Sequence, residues 1–150
     1  MKKTIYFLAI SILFCNCKTN KLANGTEIGK KPKNIILMIG DGMGLSQITG
    51  GLYMNNNKLN LEEFPFIGLH KNYPADKDLI TDSAAGATAF ACGCKTYNAA
   101  IAVKTDSTPC KTILEMAEEH GLATGLLATC SIEHATPASF IAHKIGRAHV

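Results

Sequence analysis

Charge is scarce in this sequence. Asp, Glu, Lys and Arg make up 18% of its 150 residues, and the formal net charge is +3. Part of that small excess lies at Lys2 and Lys3 in the N-terminal segment. There is no Lys/Arg-rich patch with interleaved aromatics, which removes the electrostatic footprint that nucleic-acid binding needs. The apolar run Ile5 to Phe14 is too short to span a bilayer, which takes roughly 20 residues. Cys92-Gly93-Cys94 is followed by no second knuckle, so a zinc knuckle is disfavoured and the cysteines read as structural or free thiols. Gly40-Asp41-Gly42-Met43-Gly44 lacks the final spacing of a dinucleotide fingerprint, and its aspartate would meet a pyrophosphate. No internal repeat is found. What remains is a chain with 47% hydrophobic residues, long enough for one domain with a buried α/β core and too apolar for disorder.

The termini read differently from the middle. Lys2 and Lys3, the apolar run and Cys15-Asn16-Cys17 form an export signal over 1–17, with Cys17 the expected lipidation site because polar residues follow it at once. Secretion with cleavage nearby is the alternative. Either way an exported location is expected, in the periplasm or as an outer-membrane lipoprotein attached through Cys17. Outside the cytoplasm, Cys92, Cys94, Cys110 and Cys130 could form disulfides, with connectivity open. Residues 18–33 form a polar linker containing Gly25, Gly29 and Pro32. The folded domain is expected over 34–143. The last six residues, Ile145 to Val150, continue no pattern, and one frame of a common sequencing-library adapter would encode them. Residues 144–150 are therefore expected to be a non-native tail.

Within the domain, Ile35-Ile36-Leu37-Met38-Ile39 predicts a strand buried on both faces, and Ala123 to Thr129 a second one. A weaker strand pattern covers Ile67 to Tyr73. Helices are predicted over Leu45 to Met54, from the Thr81-Asp82 cap to Ala91, from Thr108-Pro109 to the stop at Gly121, and over Pro137 to His143. Strand and helix alternate, which predicts an α/β fold with a parallel sheet.

Four residues stand where chemistry is to be expected. Asp41, between two glycines after a buried strand, would sit at a strand's carboxyl end, where α/β ligands bind, and is a good hard ligand for a divalent cation. A Gly-Asp-Gly turn whose aspartate merely caps the next helix reads equally well. Ser83 would lie in the first turn of a helix, where negative charge is favoured. Taken alone, a capped Ala-rich core helix is the simpler reading. Thr136 and His134 follow the second strand and would meet Asp41 at one sheet edge, although a threonine before Pro137 is more often an N-cap. Glu133 is given no role, and His70, His120 and His143 read as structural or exposed.

Asn34 to Gly44, Thr81 to Ala85, Lys95 to Asn98 and His134 to Ala138 together resemble bacterial alkaline phosphatase, in order and spacing, over about the first third of a usual family member. The resemblance implies a doubly wound, mostly parallel α/β sheet with helices on both faces, here partial, and a homodimer when full length. It implies hydrolysis of phosphate monoesters with two Zn2+ and one Mg2+. Ser83 matches the nucleophile that forms a phosphoseryl intermediate, Asp41 the carboxylate bridging a zinc and the magnesium, Thr136 a magnesium ligand, and His134 a position near the magnesium acting in its second shell or through water. The phosphate-binding arginine of the family falls near Arg147, to which no role is carried because of the expected tail. The remaining metal ligands of the family lie beyond residue 150, so the chain itself is expected to be inactive. A superfamily sulfatase or phosphodiesterase is the enzymatic alternative, and a non-catalytic surface lipoprotein the other.

Overall fold

The structure is a computed structural model that describes residues 32–145. The export signal, Cys17 and most of the linker lie outside the described residues, as do residues 146–150 of the tail. The chain divides into two units, 1–38 and 39–150. In the described part of the first, the apolar run has no helix or strand assigned, and Ile35 and Ile36 are 78% and 86% exposed. The buried strand predicted there is not formed. A strand exists only through a ladder to a neighbour, and no such ladder is present among the described residues.

The same correction holds for Ala123 to Thr129 and Ile67 to Tyr73, neither of which is a strand; Leu127 is 97% exposed. Instead the described residues hold one two-stranded antiparallel sheet. Strand β1 (Ala100–Ile101) pairs with β2 (Lys144–Ile145) in the register Ala100 to Ile145 and Ile101 to Lys144. Val103 and Pro109 form an isolated antiparallel bridge.

Helices follow the sequence pattern more closely. Helix α1 (Leu45–Met54) ends at Asn55, as the Asn55-Asn56-Asn57 punctuation predicts. Helix α2 (Ser83–Cys92) starts on the N-cap Asp82 and ends at Gly93, which takes the left-handed conformation at φ +69°. Helix α3 (Ile113–Glu119) starts later than expected. Thr112 is its N-cap and makes a capping box with Glu115, while Thr108-Pro109 is drawn into the bridge. Helix α4 (Ala135–Ala138) is shorter and starts earlier than predicted, with His134 at its N-cap. Among the described residues no helix is long and apolar enough to cross a membrane.

The core is built from small side chains. Ala84 of α2, Ile101 of β1 and Ala138 of α4 form its centre, with Ala135 and Ala142 packed against them. Small residues let the backbones approach closely, and buried hydroxyls then bind the elements together. Thr88 Oγ1 donates to the Ala100 carbonyl at 3.0 Å and accepts the Ala102 N–H at 2.9 Å. That holds Ala102 at φ +44°, a conformation unfavourable for alanine. Thr112 Oγ1 donates to the Phe140 carbonyl at 2.9 Å, and Ser139 Oγ donates to the Ala135 carbonyl at 2.8 Å.

Candidate active site

Ser83 is the first residue of α2 and is half-buried. Its position follows from Asp82, both of whose carboxylate oxygens accept a backbone N–H. Oδ1 accepts the Ala85 N–H at 2.9 Å, which starts the helix, and Oδ2 accepts the Ala99 N–H at 2.7 Å. The second bond also secures Ala99 at φ +68°. Asn98 locks the same corner from the other side. Its Oδ1 accepts the Asp82 N–H at 2.8 Å, and its Nδ2 donates to the Ile80 carbonyl at 3.1 Å and to Asp78 Oδ2 at 3.2 Å. The Asn98 N–H donates to Asp76 Oδ2 at 3.0 Å. The loop entering α2 and the loop after Lys95 are thus tied at the residue before the serine.

Asp41 and Thr136 meet. Thr136 Oγ1 donates to Asp41 Oδ2 at 2.7 Å, across 95 positions of sequence. The turn that presents Asp41 requires glycine on both sides. Gly42 sits at φ +66°, and a Cβ on Gly40 would lie 2.8 and 2.9 Å from Met43 Cε and Cβ. The turn is closed by the Met43 N–H donating to the Gly40 carbonyl at 3.1 Å. Thr136 is not the N-cap of α4. His134 holds that place, exposed, with its carbonyl accepting the Ala138 N–H at 2.9 Å. Thr136 inside the helix is therefore released to face Asp41.

The helix that starts at Ser83 packs against the helix that carries Thr136. Ala84, next to Ser83, is fully buried against Ala138 of α4, and Ser139 Oγ reaches the Ala84 carbonyl at 3.4 Å. The first turn of α2 and the helix carrying Thr136 are one packed pair.

The donor set decides which metal suits it. A carboxylate and a hydroxyl in contact are hard oxygen donors, the kind a magnesium ion takes while keeping several waters. Zinc needs three or four nitrogen, sulfur or carboxylate ligands, and no group of three His, Cys, Asp or Glu side chains able to hold a metal occurs among the described residues. The pair Asp41–Thr136 fits Mg2+, and for a zinc centre it supplies one carboxylate of the three or four ligands needed.

The other histidines among the described residues have partners. His70 packs edge-on against Phe90 with ring centroids 5.6 Å apart, and His120 Nδ1 lies 2.7 Å from the Met116 carbonyl. His143 bridges the Ala102 carbonyl at 2.7 Å and Glu115 Oε1 at 2.9 Å. The Ala102 carbonyl, then Glu115, raises the His143 pKa above its ordinary value. The Thr112 N–H, then His143, lowers that of Glu115. These two side chains line a pocket of about 410 Å3 with Pro109, Lys111, Glu118 and Glu119, none of them a predicted site residue. Sequence reasoning also passed over Asn98, Thr88 and Ser139. Asn98 alone carried a signal, as the end of the Lys95 to Asn98 motif.

Comparison with known proteins gives this geometry its context. The sequence model of the family described as Alkaline phosphatase matches residues 32–150. Alkaline phosphatase 3 of Bacillus subtilis (strain 168) is 44% identical over 144 residues, covering 91% of this chain and 30% of that relative. The alkaline phosphatase of Escherichia coli (strain K12) is 42% identical over 132 residues, covering 79% of this chain and 27% of that one. Among solved structures, alkaline phosphatase from the Antarctic bacterium TAB5 matches with a TM-score of 0.74 at 53% identity, covering 79% of this chain and 34% of that chain. A histidine-to-aspartate variant of TAB5 alkaline phosphatase, 52% identical, has been solved with Mg bound in its M3 site. The chain spans about a third or less of the length of these relatives.

Proposed function

The chain belongs to the alkaline phosphatase family, with an alkaline-phosphatase-like fold, and on that premise we propose that it supplies the nucleophile and the magnesium-binding pair of a phosphate monoesterase. The observation that carries the proposal is the 2.7 Å contact between Thr136 and Asp41, on the helix that packs against the first turn of α2. Ser83 Oγ attacks the phosphorus of the ester in line with the leaving alkoxide and becomes phosphorylated. Water then attacks the phosphoserine and frees phosphate and Ser83. The positive end of the α2 dipole favours the charge that develops on Ser83 Oγ. Asn98 and Asp82 hold the backbone on either side of the serine, at the Asp82 and Ala85 N–H groups, so little motion accompanies the attack. Asp41 and Thr136 would hold Mg2+, with His134 beside them acting through water, and the ion would supply positive charge near the transferring phosphoryl group. The magnesium seen in a relative 52% identical supports that choice of ion.

Of the two zinc ions implied by the resemblance, one would share Asp41 with the magnesium, and their remaining ligands belong, in this reading, outside this chain. The 150-residue chain by itself is then inactive, since one carboxylate and one hydroxyl fall short of a zinc centre. The full-length protein would be a homodimer around a doubly wound, mostly parallel sheet, exported and attached through Cys17 or released. The sheet's other strands would cover the apolar runs left exposed here.

A chimera tests the proposal. Residues 32–143 replace the matching segment of the Bacillus subtilis relative, and hydrolysis of a chromogenic phosphate ester is followed. Activity is expected, with a loss on the order of 10^3-fold or more in Ser83→Ala. A Ser83→Ala chimera as active as the unsubstituted one would reject the assignment.

A further inference from the structure

Cys92, Cys94 and Cys110 converge at the far end of α2 from Ser83, and the mechanism uses none of them. Cys92 is the last residue of α2, and the left-handed Gly93 turns the chain between it and Cys94. Cys110 arrives from the bridged segment after β1, where its N–H donates to the Ala102 carbonyl at 2.8 Å. The Cys92 thiol donates to the Cys110 carbonyl at 3.3 Å, and Cys110 is an electrostatic neighbour of both the Cys92 and the Cys94 thiol. Cys110 is buried, Cys92 and Cys94 are half-buried, and the fourth thiol described, Cys130, is exposed. A soft-metal site is not supported, since no metal-holding group of three such side chains occurs among the described residues.

We propose that these thiols are a dithiol–disulfide site, in which Cys110 bonds covalently to one sulfur of the Cys92-Gly93-Cys94 pair when a small-molecule or protein disulfide acts as oxidant. With glutathione disulfide, the Cys94 thiol loses its proton and attacks one glutathione sulfur. A mixed disulfide forms, and one glutathione leaves as the thiol with that proton. The Cys110 thiol then attacks the Cys94 sulfur, and the second glutathione leaves with the proton of Cys110. Two protein thiols are oxidised, one disulfide is reduced, and both protons end on glutathione. Cys92 serves in place of Cys94 by the same steps.

Burial pushes the Cys94 thiol up to about 11 and the Cys92 thiol up to about 12, so little thiolate is present at neutral pH. The site is poised by proximity and slowed by protonation, and its oxidation accelerates as pH rises toward those values. The cross-link joins the end of the serine helix to the segment that leads into α3. It would stiffen the scaffold under the nucleophile without touching it.

The test oxidises the full chain with glutathione disulfide at pH 8.5, alkylates what remains, and maps a non-reduced tryptic digest. Cys92 and Cys94 share the peptide 78–95, and Cys110 lies in 105–111. A disulfide-linked pair of these two peptides is expected, together with a rise of several degrees in the thermal midpoint. Cys110→Ser should lose both, whereas Cys92→Ser and Cys94→Ser should each retain the linked pair. In guanidinium hydrochloride the pairings should scatter to include Cys130. A native digest dominated by a Cys92–Cys94 bridge within one peptide, by Cys130 pairings, or by three alkylated thiols would overturn the proposal.

Discussion

Helix α2 and the run Ile35 to Ile39 use apolar residues in opposite ways. The run is the more hydrophobic by side chain, yet Ile35, Ile36 and Met38 are exposed. Helix α2 is mostly alanine, glycine and threonine, yet Ala84, Ala85, Ala87, Thr88 and Ala91 are buried. The difference lies in partners. The alanines of α2 find β1 and α4, which pack closely because the facing residues are small and because Thr88 and Ser139 satisfy the backbone groups they cover. The run finds no ladder among the described residues. Burial follows from neighbours that satisfy hydrogen bonds, with hydrophobicity as the driving force that such neighbours allow to act.

Breaking the hydroxyl network should cost most. Thr88→Val keeps the shape but leaves the Ala102 N–H and the Ala100 carbonyl without their partner, and should destabilise the chain by about 3 kcal/mol in urea titration. Overfilling the small-residue contact comes next. Ala84→Leu should cost about 2 kcal/mol, because the facing Ala138 and Ile101 leave no space for the extra atoms. An insensitive protein in either case would mean that α2 is not packed as described.

A smaller effect should appear as pH dependence at the His143–Glu115 pair. His143 has its pKa raised above 6.5, so its contribution is full below 6.5 and fades as pH rises through the raised value. Glu115 has its pKa lowered below 4.5, so its contribution is present above 4.5 and fades as pH falls through the lowered value. The pair should therefore stabilise most between 4.5 and 6.5. Both groups are partly solvated, which limits the gain to under about 1 kcal/mol. Comparing wild type and His143→Gln across pH 4 to 9 should show a difference that peaks in that window; a constant difference would argue against the bond. Smallest of all, Ile36→Ser should change stability by less than about 0.5 kcal/mol, since the side chain is 86% exposed. A large loss would show that the run is covered after all.

Local chemistry explains what could be read in advance. Asn55 ends α1 and Asp82 starts α2, because each residue type satisfies orphan backbone groups in its own vicinity. Asp41 and Thr136 do meet, although the two buried strands from which their meeting was expected are not formed among the described residues. The strands were not legible, because a ladder depends on a partner segment that an apolar pattern does not specify. Nor was the role of Asn98. An asparagine that binds Ile80, Asp78 and Asp82 at once draws on loop geometry that no spacing encodes. His134, and not Thr136 as the alternative reading had it, stands at the N-cap of α4, and the Thr136 hydroxyl donates to the Asp41 carboxylate.

The most direct measurement is of the serine itself. The chimera is incubated with 32P-labelled phosphate or phosphate ester, quenched in acid, digested and mapped. Label on Ser83, in the peptide 78–95 and absent from Ser83→Ala, is the predicted result. Hydrolysis that proceeds with label on another residue, or that continues in Ser83→Ala, would contradict it.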